Sequence, residues 1–160
     1  MVLLFRDKKG FTFIEVVAVL IIMGILGAVA ATRMSNNEFD LVAQIESIKS
    51  HVRYAQIRAM GSDTNTGSNA TWGIRTNDGG TSYWLYDQDG NPATLPGAGG
   101  TIITLASIGL NSMTPFNLSF NDWGEPFNNG TALAADLPIT VTDGSDNKQF
   151  TITAVTGFIP

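Results

Sequence analysis

The chain has 160 residues, enough for one domain with an appendage, and contains no cysteine, which excludes disulfides, thiolate metal sites and iron–sulfur clusters. Charged residues make up only 14% of the sequence. After Gly61 two basic residues stand against nine acidic ones, so this part of the chain is a poor electrostatic match to nucleic acid.

The chain starts with a short basic segment and continues as a long apolar run. Arg6, Lys8 and Lys9 precede residues 11–32, in which Glu15 is the one charged residue. A helix over this run would be roughly 33 Å long, which matches a bilayer core. The preceding basic residues predict a cytoplasmic N-terminus and an outward-facing remainder. A plain membrane anchor and a secretory signal cut near Ala31 are alternatives at this point.

The helix is predicted to continue without a break to Met60. Apolar residues recur at spacings of three and four and form one stripe, and Gly61 follows as a helix stop. The members of the stripe are Leu41, Ile45, Ile48, Val52, Ala55 and Ala59. An apolar first half and an amphipathic second half are therefore expected, the second half lying on a sheet.

The residues around the start of the apolar run form a motif. Lys8-Lys9-Gly10-Phe11-Thr12-Phe13-Ile14-Glu15 resembles the cleavage and methylation motif of type IV pilins and type II secretion pseudopilins. The resemblance implies cleavage by a prepilin peptidase between Gly10 and Phe11 and methylation of the new terminus at Phe11. It also implies that Glu15 assists docking of the subunit among its neighbours. Many members of the family carry a proline near the end of the apolar half, whereas this chain has none before Pro92.

After Gly61 the pattern changes to period two, which predicts an antiparallel β-sheet head of six or seven strands with one wet face. Turns are predicted at 77–80 and 87–92 because both segments are rich in Asn, Asp and Gly. The predicted strands contain, in chain order, Trp72 and Ile74; Tyr83 to Tyr86; Ile103 and Leu105; Phe116, Leu118 and Phe120; Ile139 and Val141; and Phe150, Ile152 and Ala154.

The head resembles the H-type minor pseudopilins of type II secretion and the related T-type minor pilins. The resemblance rests on residues 51–60, on Trp72-Gly73-Ile74, on Gly124-Glu125-Pro126 after Phe120, and on residues 151–157. A minor pilin of a mannose-sensitive haemagglutinin-type pilus would show a similar pattern. The C-terminal residues 156–160 could pack onto the head or contact another subunit.

Three other functions of the part after the apolar run are considered from its residues: catalysis, DNA binding and calcium binding. His51 is the only histidine and is interpreted as a surface residue of the helix rather than a catalyst. Lys49 and Arg53, with Arg58, form a modest basic strip that could serve a DNA-binding pilin, or could pair with Glu46 and solvent. Asp87, Asp89 and Asn91 have the alternating spacing that opens a calcium loop, but a turn between strands is favoured because Pro92 and Ala98 replace the usual Gly and Glu.

The sequence therefore predicts an α+β fold of four parts: a leader at 1–10, a hydrophobic transmembrane and assembly half at 11–32, an amphipathic half at 33–61, and a β-rich head at 62–160. The predicted function is structural, with no enzymatic activity and no cofactor or metal. The expected partners are prepilin peptidase and other subunits, with the inner membrane as the site before assembly and nucleic acid not expected. Alternatives are a DNA-binding or adhesive minor pilin and, outside the family, an uncleaved membrane-anchored binding domain.

Overall fold

The structure is a computed structural model that describes residues 10–33, 37–62 and 72–160. The chain divides into two compact units, with the boundary between Asn37 and Glu38. Helix α1, Phe13–Arg33, belongs to the first unit, and helix α2, Asn37–Met60, belongs almost wholly to the second. The predicted continuity of one helix from Phe11 to Met60 depends on residues 34–36, which lie outside the described residues.

Helix α2 covers the core of the second unit with the predicted apolar stripe. Leu41, Ile48, Val52 and the other members are all buried, which confirms the spacing argument. The helix ends where Gly61 was predicted to stop it. The Gly61 amide still donates to the Ile57 carbonyl over 3.0 Å, and the Ser62 amide and hydroxyl both bond the Ala59 carbonyl.

The described part of the head contains two antiparallel sheets. The larger sheet has the strand order β3-β2-β1-β6-β7-β8, with β4 also pairing with β2, and the smaller has the order β10-β9-β5. Their bounds are β1 Trp72–Thr76, β2 Ser82–Tyr86, β3 Pro92–Ala93, β4 Ile102–Thr104, β5 Ser112–Met113, β6 Asn117–Phe120, β7 Pro126–Asn128, β8 Thr131–Ala132, β9 Leu137–Thr142 and β10 Asn147–Ile152. The helices and the antiparallel sheets confirm the predicted α+β class.

The register places the predicted apolar positions on one side of the larger sheet. Ile74 pairs with Leu85 on one neighbour and with Leu118 on the other, and all three side chains are buried. The smaller sheet contributes Ile139, which pairs with Phe150. These residues and the stripe of α2 form one core, because a sheet face and a helix stripe must each cover the apolar surface of the other.

Several details of the strand prediction were wrong. The described residues contain ten strands rather than six or seven, because β3, β5 and β8 have two residues each and are too short to show a period. Leu105 is not in a strand; it begins a 3₁₀ turn, Leu105–Ile108, that ends at Gly109 with φ 78°. Ala154 lies in a turn beyond the end of β10.

The outer face of the larger sheet is less exposed to solvent than predicted. Ser119 is buried on β6 beside Gly73 of β1. The Tyr86 ring lies over Gly73 so closely that a Cβ there would come within 2.5 Å of it. Arg75 in turn stacks on the Trp84 and Tyr86 rings, at 4.9 and 5.5 Å from their centroids. Aromatic side chains thus shield part of the face that alternation alone assigns to solvent.

Candidate functional site

The predicted cleavage junction lies immediately before helix α1. Gly10 and Phe11 are exposed and non-helical, and the helix begins two residues later at Phe13. An exposed and non-helical bond is one that a peptidase can bind in extended form. The predicted basic residues Lys8 and Lys9 lie outside the described residues.

Thr12 caps the N-terminus of α1, a role that was not predicted. Its side-chain oxygen accepts a hydrogen bond of 3.3 Å from the Glu15 amide, and its carbonyl accepts from the amides of Glu15 and Val16. Thr12 and Glu15 have the Thr-x-x-Glu spacing of a capping box, so the sequence did contain the signal. The Glu15 carboxylate lies in the first turn, where the helix dipole favours a negative charge.

Phe11 and Glu15 share one face of the N-terminal segment. Together with Val16, Val19 and Leu20 they line a shallow groove of about 260 Å³. The terminus that cleavage would create at Phe11 and the acid at the fifth position of the mature chain, Glu15, therefore lie on the same side of the chain. A neighbouring chain that contacts this face would meet both groups at once.

The apolar side chains of α1 are exposed in the isolated chain. Phe13, Ile14, Leu20, Met23 and Leu26 are all more than half exposed, as is the Phe11 side chain before the helix. Exposed apolar surface on this scale is typical of a surface that another molecule covers.

Among the described residues, no helix is long enough and apolar enough to cross a membrane.

His51 is not the surface residue that was predicted. It is buried between α2 and the rest of the head, where its Nδ1 lies 2.9 Å from the Tyr83 hydroxyl and its Nε2 lies 3.2 Å from the Pro96 carbonyl oxygen. Because a carbonyl can only accept, Nε2 carries the proton and Nδ1 accepts from Tyr83. Burial lowers the pKa of His51 below its ordinary value. Its two partners give it a packing role.

Each residue of the predicted basic strip has a partner within the chain. The Lys49 ammonium lies 2.7 Å from the Glu46 carboxylate, and this hydrogen bond lowers the pKa of Glu46. Arg53 donates to the Ile159 carbonyl over 2.8 Å, and the Arg58 guanidinium stacks 4.4 Å above the centre of the Trp72 ring. The strip therefore consists of three separate intramolecular contacts.

The suggested calcium loop is organised as a turn. The Asp87 carboxylate accepts from the amides of Asp89 and Asn91, at 3.0 and 2.8 Å, in the manner of an Asx turn. Across the described ranges, no group of three or more His, Asp or Glu side chains is placed to hold a metal ion. The turn reading is thus the one that the contacts support.

The C-terminal residues pack onto the head through Ile159. Its side chain is buried in the core, while Phe158 beside it is exposed. Of the two possibilities left open by the sequence, packing therefore holds for Ile159.

A family model matches the N-terminal segment. The prokaryotic N-terminal methylation motif matches residues 5–31, which contain the predicted cleavage junction, Glu15 and most of α1. The match confirms the predicted resemblance of this segment to the type IV pilins and pseudopilins. The motif indicates a structural subunit that is processed by a prepilin peptidase and assembles with other pilin subunits. Neither a curated protein nor a solved structure matches the chain.

Proposed function

We propose that this chain is a minor, H-type structural subunit of a type II secretion pseudopilus or a type IV pilus. A prepilin peptidase cuts it after Gly10 and methylates Phe11, and the mature chain then enters the filament through α1. One observation carries the proposal: the methylation motif at residues 5–31 contains most of a helix whose apolar side chains are exposed.

Glu15 is proposed to select the docking register of the mature subunit. Cleavage leaves an ammonium on Phe11, and a carboxylate about 4 Å from an ammonium attracts it by about 4 kcal/mol at an effective dielectric near 20. Desolvation offsets much of this attraction, so the larger effect is the penalty for leaving Glu15 unpaired among apolar helices. The shared face of Phe11 and Glu15 supports this role.

The positions of the segments that resemble the H-type minor pseudopilins support the proposed subgroup. Gln56, from the similar stretch at the end of α2, donates to the Gly124 carbonyl over 2.8 Å and to the Thr156 carbonyl over 3.0 Å. Gly124 belongs to the third of the four similar segments and Thr156 to the last. Three stretches that are distant in sequence thus form one junction, which gives their common occurrence a structural reason.

We further propose that the precursor resides in the inner membrane with its N-terminus in the cytoplasm and its head in the periplasm. Lys8 and Lys9 precede the apolar run, and basic residues are retained on the cytoplasmic side. On assembly the subunit passes from the membrane into the filament. The partners of the subunit are the prepilin peptidase and the neighbouring subunits.

The deciding experiment is the intact mass of the protein recovered from membranes of cells with and without the prepilin peptidase. We expect loss of residues 1–10 and gain of one methyl group only when the peptidase is present. A Gly10→Val variant should stay uncut, and Gly24→Ala is the matched control because a Cβ at Gly24 meets nothing within 4 Å. Full-length mass in both strains would instead indicate an uncleaved anchored domain, and a cut near Ala31 a secreted protein.

A separate measurement is needed to decide whether the subunit belongs to a secretion pseudopilus or to a pilus. Deletion of this chain should reduce export of a type II secretion substrate if the filament is a pseudopilus, with surface pili unchanged. Loss of surface pili with secretion intact would assign it to a pilus.

A further inference from the structure

Two turns of the head are joined at the C-terminal end of α2. One turn is Asn121–Glu125, between β6 and β7, and the other is Thr153–Phe158, after β10. The Gln56 side-chain amide bonds a carbonyl of each turn. A Cβ placed on Gly157 would lie 2.9 Å from the Gly124 carbonyl oxygen, so the two backbones are packed closely.

Each turn holds its own conformation through internal hydrogen bonds. The Asn121 side-chain oxygen accepts from the amides of Trp123 and Glu125, at 3.0 and 2.9 Å. In the second turn, Thr153 exchanges backbone bonds of 2.9 Å with Gly157 and Phe158. Side chains on these turns are therefore presented from an ordered backbone, which lowers the entropy cost of binding a partner.

These turns expose large apolar side chains, which with Met60 we term the apolar end patch. Trp123 is 87% exposed, Val155 69% and Phe158 63%, and the Met60 sulfur lies 3.0 Å from where a Cβ on Gly124 would stand. Single exposed apolar residues are common on protein surfaces. Four on adjoining segments, one of them a nearly fully exposed Trp, indicate an interaction surface, since Trp is enriched among residues that dominate binding energy.

Val155 adds a second and independent observation. Its φ is +68°, a conformation that β-branched residues rarely adopt and that costs about 1–3 kcal/mol. A glycine would occupy this position without strain. A strained and exposed valine at this position is explained if its side chain contacts a partner.

Charge decides which partner fits. Residues 38–160 carry five Lys and Arg against twelve Asp and Glu, and the exposed acids Asp122 and Glu125 flank Trp123. Two copies of this head would repel each other, as would the head and an anionic bilayer surface. The patch also lies at the C-terminal end of α2, about 34 Å along the helix from Asn37.

We propose that the apolar end patch binds the head of a different pilin-type subunit in the same filament, through an apolar recess with a basic rim. This inference rests on the proposed function, because it requires that the chain enters a filament. It goes beyond that function by assigning the surface and the chemistry of the contact. Trp123 is its central residue, with Phe158 and Val155 beside it.

The test is photocrosslinking in cells that make the full chain. p-Benzoylphenylalanine is placed at position 123 and, as the matched control, at position 102, where Ile102 is exposed elsewhere on the head. We expect position 123 to crosslink a protein that mass spectrometry identifies as another chain with a prepilin motif, and position 102 to give at least tenfold less of that product. Phe158→Ser should lower the yield at position 123 about tenfold, and Ile102→Ser should not change it.

Crosslinking of position 123 only to a second copy of this chain, only to lipid, or at no higher yield than position 102 would overturn the proposal. The mass of the mature chain and its presence in sheared filaments are measured on the same cells. A processed and filament-bound chain without the crosslink would refute the patch alone. An unprocessed chain absent from filaments would refute the proposed function and the patch inference with it.

Discussion

The His51 imidazole and the Tyr83 hydroxyl, 32 residues apart in sequence, meet 2.9 Å apart in the interior of the head. Their rings lie 5.9 Å apart between centroids. The contact joins helix α2 to strand β2, and burial raises the pKa of Tyr83. Tyr83 therefore stays protonated, and a hydrogen-bond donor, at neutral pH.

Removing this hydroxyl should destabilise the head. Tyr83→Phe leaves Nδ1 of His51 buried without a donor, which should lower the free energy of unfolding by about 1–2 kcal/mol. The control is Tyr54→Phe. Tyr54 is half-buried on α2, the helix that carries His51, and its substitution should change the free energy of unfolding by less than about 0.5 kcal/mol. Chemical denaturation of the full chain in detergent measures both, and equal effects would contradict the assigned bond.

The stability of the head should also decrease as the pH is lowered below neutrality. Burial lowers the pKa of His51 from 6.5, so below that pH the unfolded chain binds more protons than the folded one. The free energy of unfolding should thus be constant above about pH 7.5 and decrease as the pH drops through 6.5. His51 is the only histidine, so His51→Phe should flatten the profile between pH 5.5 and 7.5. A slope that survives this substitution would assign the effect to other groups.

Neutralising Glu15 should separate processing from assembly. Glu15→Gln keeps the shape and the helix cap but removes the charge, so cleavage and methylation should proceed while incorporation into filaments falls about tenfold. Glu46→Gln is the control, since Glu46 is an exposed acid whose pair with Lys49 lies on the surface of α2, outside the N-terminal segment. The measurement compares the amounts of mature chain in sheared filaments and in membranes. Unchanged incorporation of the Glu15→Gln chain would refute the docking role.

A side chain at Gly73 should disrupt the larger sheet. A Cβ there would lie 2.3 Å from the Leu118 carbonyl and 2.5 Å from the Tyr86 ring, so strands β1 and β6 would have to separate. Gly73→Ala should cost about 3 kcal/mol or prevent folding. Gly99→Ala is the matched control because its Cβ would meet nothing within 4 Å. Denaturation midpoints, or protease resistance if the variant does not accumulate, give the comparison.

Relieving the strain at Val155 should stabilise the head. Val155→Gly should raise the free energy of unfolding by about 1 kcal/mol, because glycine adopts a φ of +68° without penalty. Val42→Gly, at an exposed position of α2, should lower it by about 1 kcal/mol. The same denaturation measurement serves both variants, and a loss of stability in the Val155→Gly chain would show that its side chain contributes packing that outweighs the strain.

The sequence by itself determined those features of the protein that depend only on residues close together in the chain. The run from Gly10 to Glu15 is contiguous, so the family motif could be recognised without a fold, and the cleavage junction could be predicted from it. The stripe of α2, the stop at Gly61 and the alternation of β1, β2 and β9 follow from the periods of helix and strand. Two-residue strands such as β3 and β8 show no period and could not be found in this way.

Only the tertiary structure decided which distant residues meet. A lone histidine on a helix has no local signal for burial, and His51 is buried because Tyr83 and Pro96 are brought to it from 32 and 45 residues away. Likewise, Arg53 and Gln56 of α2 bond the carbonyls of Ile159 and Thr156, which lie 106 and 100 residues further along the chain. Local patterns specify backbone conformation, whereas the solvation of a side chain depends on long-range packing that no short window contains.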